Sequence, residues 1–235
     1  VPNVYNLNEM STDEVIVPVR GADWNDGVIW EELWKHQWTP NSISVQDGWK
    51  FIFEGVGGIN LIIEALQNVP PEEYEVTPLL AEMQTLRAFY YYQALDLFGN
   101  VPLVETRTVA ANEVVTKSRQ EVFTYVEDQL TQNLGGLSQE VTSQTYGRAT
   151  QWFAYSVLAK LYLNAEVFTG TPRWADCIAA CDAILNSGKY VLEEDFFENF
   201  AINNEGSREN IFVIPFHYNT GLGFFIVQLA TLHYN

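Results

Sequence analysis

The residues best equipped for chemistry lie near the start of the chain. Arg20 is followed closely by Asp23-Trp24-Asn25-Asp26-Gly27. That run sets one indole among a guanidinium, two carboxylates and an amide. A flat indole covers the C–H face of a sugar ring at little entropic cost, and the polar groups around it can bond the ring hydroxyls. The chemistry is recognition rather than bond breaking. No packing stripe accounts for Trp24, which sits among polar residues between Gly21 and Gly27. Trp30, Trp34 and Trp38 recur every four residues, as one face of a short helix would place them. For those three as a set, packing onto the scaffold is the favoured reading. Trp38 is nevertheless the best second platform, because Pro40 just beyond it could turn the ring outward. The candidate ligand-binding residues are therefore Arg20, Asp23, Trp24, Asn25, Asp26, Trp34 and Trp38. The same loop fails as a calcium site: Gly falls fifth rather than sixth, and Trp34 stands at the twelfth place.

Other chemistries find less support. There is no GxSxG elbow, no phosphate loop and no His-based metal motif. Cys177 and Cys181 lie four apart on an expected helix. They read as small buried residues at a helix contact, not as metal ligands. The 30 Asp and Glu make some close carboxylate pair inevitable, so a glycoside hydrolase of helical fold stays open as an alternative. Nothing singles out such a pair. No catalytic residue, metal or cofactor is expected. A scaffold that holds a protein tail in a helical groove is the other alternative, although sparse Lys and Arg disfavour an acidic tail.

Charge narrows the partners. The 235 residues carry only 12 Lys and Arg, for a formal net charge of −18. Nucleic-acid affinity comes from neutralised phosphates, so that class is excluded. Electrostatic attachment to anionic lipid is disfavoured for the same reason. Aromatic residues make up 14 % of the chain, and five of the seven Trp fall at 24, 30, 34, 38 and 49. No apolar run reaches the ~18 residues of a membrane span, and no signal peptide opens the chain. Both ends read as cuts from a longer chain.

The elements that must position these groups are helical. Residues 46–68 place Trp49, Ile52, Phe53, Val56, Ile59, Ile63 and Leu66 at steps of three and four. Gly55, Gly57 and Gly58 in that helix suggest points where a second helix comes close. The next helix, 77–98, is apolar all round from Leu86 and must be covered all round. Gly99 stops it, and Pro102 prevents its resumption. Ser118-Arg119-Gln120-Glu121 is a capping box opening another helix. A further helix is expected over 148–168, stopped at Gly170. The next follows Thr171-Pro172 and ends at Ser187-Gly188, with Trp174, Ile178, Cys181 and Leu185 inward. Residues 209–216 read as a short strand. Short Gly/Pro connectors between antiparallel helices predict an all-α, tetratricopeptide-like scaffold with irregular loops and a minor β element. The expected organisation is one domain: a loop-rich aromatic segment 1–45, a helical scaffold 46–190, and an irregular segment 191–235 with the short strand.

Four segments, in order, resemble the SusD/RagB family of outer-membrane nutrient-binding lipoproteins. They are STDEVIVPVRGADWNDG with the spaced Trp over 11–38; residues 49–66 with the Gly57-Gly58-Ile59-Asn60 core; LRAFYYYQALDLFGNVPLV over 86–104; and Gly147-Arg148-Ala149-Thr150 with LAKLYLN, Trp174 and 209–216. The resemblance implies a non-enzymatic cell-surface protein that captures a nutrient oligosaccharide. It implies a SusC-like TonB-dependent transporter as partner. It also implies outer-membrane localisation through an N-terminal lipid anchor that these residues do not include. One physical expectation accompanies it. Arg87 lies inside the all-round apolar helix and should be partly buried and paired with a carboxylate or backbone carbonyls.

Overall fold

Apolar residues on every side of 86–98 need cover on every side, and the structure supplies it. The computed structural model describes residues 4–19, 21 and 25–215, with the side chains of Asp26 and Ala111 excepted. Its helices are α1 (Val4–Met10), α2 (Ile29–Trp34), α3 (Ile43–Gln67), α4 (Thr77–Phe98), α5 (Arg119–Asn133), α6 (Gln151–Leu163), α7 (Ala165–Thr169) and α8 (Trp174–Asn186). Strands β1 (Val101–Pro102) and β2 (Thr116–Lys117) form a two-residue antiparallel ladder, with Val101 opposite Lys117. The fold is all-α with a minor β element, as expected. The chain divides inside α3: the described residues up to Glu54, with Pro215, form one unit and Gly55–Ile214 the other.

In the second unit, α4 is the central helix. From Leu79 to Leu95 none of its residues is exposed. It packs along α5 and touches α6, while α6 pairs with α8 and α5 also meets α6 and α7. Val122, Phe123, Val126 and Leu130 of α5 fill one layer; Phe153, Ala154, Val157, Leu158 and Leu161 of α6 fill the next. Gly55 of α3 is a true close approach, since a Cβ there would meet the Tyr90 ring at 2.4 Å. Gly57 and Gly58 face open space instead, so only one of the three glycines serves that contact.

The turn after α4 explains its sequence. Gly99 takes φ 73° and donates its N–H to the Leu95 carbonyl at 3.0 Å, closing the helix in a conformation glycine favours. The chain then returns along α4 and is fastened there. The Tyr91 hydroxyl accepts from Val104 N at 2.7 Å and donates to Val104 O at 3.0 Å. Asn60 Nδ2 donates to the same carbonyl at 3.0 Å. One turn earlier, Arg87 is 4 % exposed. Its Nη1 donates to Asn60 Oδ1 at 2.9 Å and Glu105 O at 3.2 Å. Its Nη2 donates to Glu105 Oε1 at 3.1 Å and Gln129 Oε1 at 3.0 Å. The expectation for Arg87 is met: one guanidinium joins α3, α4, α5 and the returning strap.

Four readings change. The helix expected over 148–168 is two, because Asn164 leaves helical geometry and turns its amide onto Lys160 O at 3.3 Å. The first starts at Gln151 rather than at Arg148, with Thr150 capping it by accepting from Phe153 N at 3.4 Å. On α8 the buried residues are Ala180 and Ile184, while Trp174, Ile178, Cys181 and Leu185 face outward. Close approach to α6 selects small side chains, and half-buried Cys177 donates Sγ–H to Ala159 O at 3.3 Å. Cys181 is therefore not the buried residue expected. Finally, 209–215 is no strand among the described residues. Its apolar ring goes to α6 instead: Phe212 stacks on Phe153 with centroids 4.1 Å apart. The Glu209 carboxylate accepts from Glu193 N at 3.1 Å and Asn199 Nδ2 at 2.9 Å.

At the start of α5 the capping box is complete. Ser118 Oγ accepts from Glu121 N at 3.3 Å, and Glu121 Oε2 accepts from Ser118 N at 2.9 Å. These bonds to Ser118 hold the Glu121 carboxyl down at about 2.

Three outcomes follow from this packing. Arg87→Met should lower unfolding free energy by about 3 kcal/mol, because Asn60, Glu105 and Gln129 lose their donor together. Thermal melting would show this as a drop of roughly 6–12 °C. Ile184→Ala should cost about 2–4 kcal/mol in urea titration, whereas Leu185→Ala should stay within about 0.5. Because folding lowers the Glu121 pKa, its stabilisation is present above the usual carboxylate range and is lost as pH falls from about 4.5 toward 2. The stability gap between the native chain and Glu121→Gln should therefore close over that window.

Candidate functional site

The first unit has its own small core. Met10, Val17, Trp30 and Leu33 are buried together, with Leu7, Val15 and Ile29 packed against them. Trp30 is thus a packing residue, as its spacing suggested. Trp34 and Trp38 are not: each is 42 % exposed.

The helix carrying them is shorter than the spacing predicts. It ends at Trp34 rather than at Thr39-Pro40-Asn41. His36 takes φ 54°, which breaks the helical ladder. Its ring Nε2 lies 2.7 Å from Ser11 O, and a carbonyl can only accept, so Nε2 carries the proton. The loop beyond is pinned at several points. Gln37 N donates to Glu32 O at 2.9 Å, Thr39 N to Ser42 Oγ at 2.8 Å, and Ser42 Oγ to Glu32 Oε1 at 2.9 Å. Trp38 rides on that loop with the His36 ring beside it, centroids 5.1 Å apart and planes tilted by 52°. These bonds hold the loop that carries the exposed indole.

Arg20, Asp23 and Trp24 lie outside the described residues. Asn25 is exposed, and its carbonyl accepts from Val28 N at 2.5 Å. Asp26 opens the 3-10 turn Asp26–Val28. Gly27 and Val28 both sit at left-handed φ, 71° and 65°. For a β-branched residue that costs on the order of 1–3 kcal/mol, and such strain concentrates at working sites. Of the candidate set, the structure brings Trp38 together with His36, a residue the spacing argument did not select. It also exposes Trp49, at 38 %, which the helical stripe had placed inward. Trp49 packs on Phe53 with centroids 4.4 Å apart while the buried face of α3 passes through Ile52, Val56, Asn60 and Ile63. The crowding of Trp between 24 and 49 was the signal that could have flagged it.

The second unit holds a separate cleft of about 490 Å³ between the 141–150 loop, residues 188–190 and residues 204–213. Its lining includes Tyr146, Arg148, Tyr190 and Arg208. No spacing rule links residues from three distant segments, so sequence reasoning could not assemble it. Among the described residues, no group of three or more His, Cys, Asp or Glu is placed to hold a metal.

Residues 2–163 match the family model for SusD-like proteins, described as starch-binding and associating with the outer membrane. The chain belongs to the SusD-like family. It is 27 % identical over 204 residues to the starch-binding protein SusD of Bacteroides thetaiotaomicron, covering 86 % of this chain and 34 % of that protein. A SusD-like protein of Bacteroides ovatus is 28 % identical over 219 residues, covering 86 % and 39 %. The chain thus spans about a third of the length of these relatives. Two solved structures share the fold. A laminarin-binding SusD-like protein has a TM-score of 0.76 at 23 % identity, over 89 % of this chain and 45 % of its own. Surface glycan-binding protein A of Bacteroides thetaiotaomicron, in complex with laminarihexaose, has a TM-score of 0.71 at 22 % identity, over 88 % and 42 %. In this SusD-like chain no helix among the described residues is long and apolar enough to cross a membrane.

Proposed function

We propose that this chain belongs to a non-enzymatic cell-surface protein that captures a nutrient oligosaccharide. Membership of a family described as starch-binding supports the ligand class. The observation that carries the reading to this chain is Trp38, exposed on a pinned loop with His36 at its side. The indole covers the apolar face of a sugar ring. Neighbouring polar groups then supply the directed bonds that fix the ring's orientation. Arg20, Asp23, Trp24, Asn25, Asp26 and Trp34 complete the proposed site. Binding of this kind needs no proton transfer and no cofactor. The protein stands at the outer membrane, held by a lipid anchor, and delivers its glycan to a SusC-like TonB-dependent transporter. The family's description as associating with the outer membrane supports that placement.

Calorimetric titration with laminarihexaose and maltohexaose tests the reading. Trp38→Ala and Trp24→Ala should each weaken binding by about 5–150-fold, the effect of about 1–3 kcal/mol for one lost aromatic platform by analogy with base stacking. Melting temperatures should move little for Trp38→Ala, whose ring is half exposed. Unchanged affinity in both variants, or hydrolysis of the bound glycan, overturns the assignment.

A further inference from the structure

The cleft of the second unit gathers cations in an acidic chain. The chain carries 12 cations against 30 carboxylates. Yet Arg148, Lys189 and Arg208 all line this one cleft, and among the described residues Glu205 is the sole acidic one in its lining. A strongly acidic protein repels anions except where its few cations converge. The volume, about 490 Å³, falls within the range of small-ligand sites.

The three cations are not equivalent. Arg148 is committed: its Nε donates to Glu82 Oε2 at 3.1 Å and Nη2 to Glu82 Oε1 at 2.5 Å, neutralising a buried carboxylate. It holds the cleft wall in place. Lys189 reaches Glu140 only at 3.5 Å, a loose exposed pair worth little. Arg208 is exposed, and among the described residues its guanidinium makes no hydrogen bond or ion pair. Its backbone, however, is set: Arg208 N donates to Glu193 Oε1 at 2.6 Å. The preceding turn is tied to Asn199, whose carbonyl accepts from Asn204 Nδ2 at 2.7 Å and whose Oδ1 accepts from Ser207 Oγ at 2.5 Å.

The facing wall is equally built. Thr142 N donates to Thr145 Oγ1 at 2.9 Å, and Arg148 N to Thr145 O at 3.0 Å. These bonds form the turn that carries Tyr146, which is 40 % exposed. Phe212, stacked on Phe153, contributes an apolar surface to the lining. An exposed guanidinium on one wall and an open phenol ring on the other match one ligand chemistry. Arginine takes carboxylate or sulfate in paired bonds, and a tyrosine ring covers a sugar face.

We propose that this cleft is a second saccharide site, separate from the N-terminal indoles and selective for an anionic sugar. Arg208 binds the charged group, Tyr146 covers the ring, and Lys189 adds attraction from the third segment. The site does not depend on Trp24 or Trp38.

The test is titration of the chain with hexagalacturonate, with a sulfated galactan oligomer and with neutral laminarihexaose, at low and high salt. Arg208→Gln, Tyr146→Ala and Trp38→Ala are compared with the native chain, with folding checked by circular dichroism. At least one anionic oligomer should bind, and its affinity should fall with salt. Which one binds tells carboxylate from sulfate ester. Arg208→Gln should lose about 10–100-fold, as expected for a charge-assisted bond. Tyr146→Ala should also weaken anion binding, while Trp38→Ala should leave it intact. Failure of both anionic oligomers to bind, retention of full affinity by folded Arg208→Gln, or loss of anion binding in Trp38→Ala overturns the proposal. Loss of laminarihexaose binding alone in Trp38→Ala concerns the N-terminal site and leaves this one standing.

Discussion

Placing a guanidinium in a helical core is costly unless nearly every N–H finds an acceptor. Arg87 meets that condition with four acceptors from Asn60, Glu105 and Gln129, leaving only Nε buried without one. Because those acceptors lie on α3, on the strap after α4 and on α5, the arrangement exists only when all of them are in place. A hydrophobic contact tolerates sliding; this one does not. The requirement accounts for the order of residues in the 86–104 stretch. Arg87 and Tyr91 are one turn apart, so both point at the same side of α4. Gly99 then reverses the chain so that Val104 and Glu105 return past them.

A second guanidinium plays a similar part farther along. Arg173 Nη2 donates to Glu127 Oε1 at 2.9 Å, and its guanidinium lies 4.8 Å from the centre of the Tyr162 ring. The Tyr162 hydroxyl donates to the same carboxylate oxygen at 2.8 Å. Burial, then the Glu127 bond, push the Tyr162 pKa upward, so the phenol stays a donor. With Arg173 also paired to Asp176, the start of α8 is tied to α5 and α6. In a chain so poor in cations, these arginines serve as ties between helices, which makes Arg208, exposed and unpaired among the described residues, conspicuous.

The aromatic excess divides by role. Tyr91, Phe123, Phe153 and Phe168 fill the helical core, where rings at tilted or edge-on angles contact one another. Trp34, Trp38 and Trp49 are displayed instead. Rings displayed in this way are available to cover the apolar face of a partner surface. A sugar face is one such surface, and the family supplies independent reason to expect it.

Much of the scaffold was legible from the sequence because its determinants are local. Helix α4 begins and ends where its pattern predicts, since Gly99 and the all-round apolar run act within a turn or two. The capping box of α5 and the burial of Arg87 were equally readable, the latter because hydrocarbon surroundings leave a guanidinium no alternative to pairing. What the sequence could not decide was orientation. On α8, two candidate stripes one residue apart, Cys177-Ala180-Ile184 and Trp174-Ile178-Cys181-Leu185, are both apolar. Only the closeness of α6 selects the smaller one. Trp30 and Trp34 share a period, yet the α1 contact buries the first and leaves the second in water. Phe212 found a ring on α6 in place of a strand partner. The 490 Å³ cleft unites the 141–150 loop with segments that follow it only after α6, α7 and α8. Local chemistry determined which elements form; the distance at which neighbouring helices settle decided which faces they bury and which residues meet.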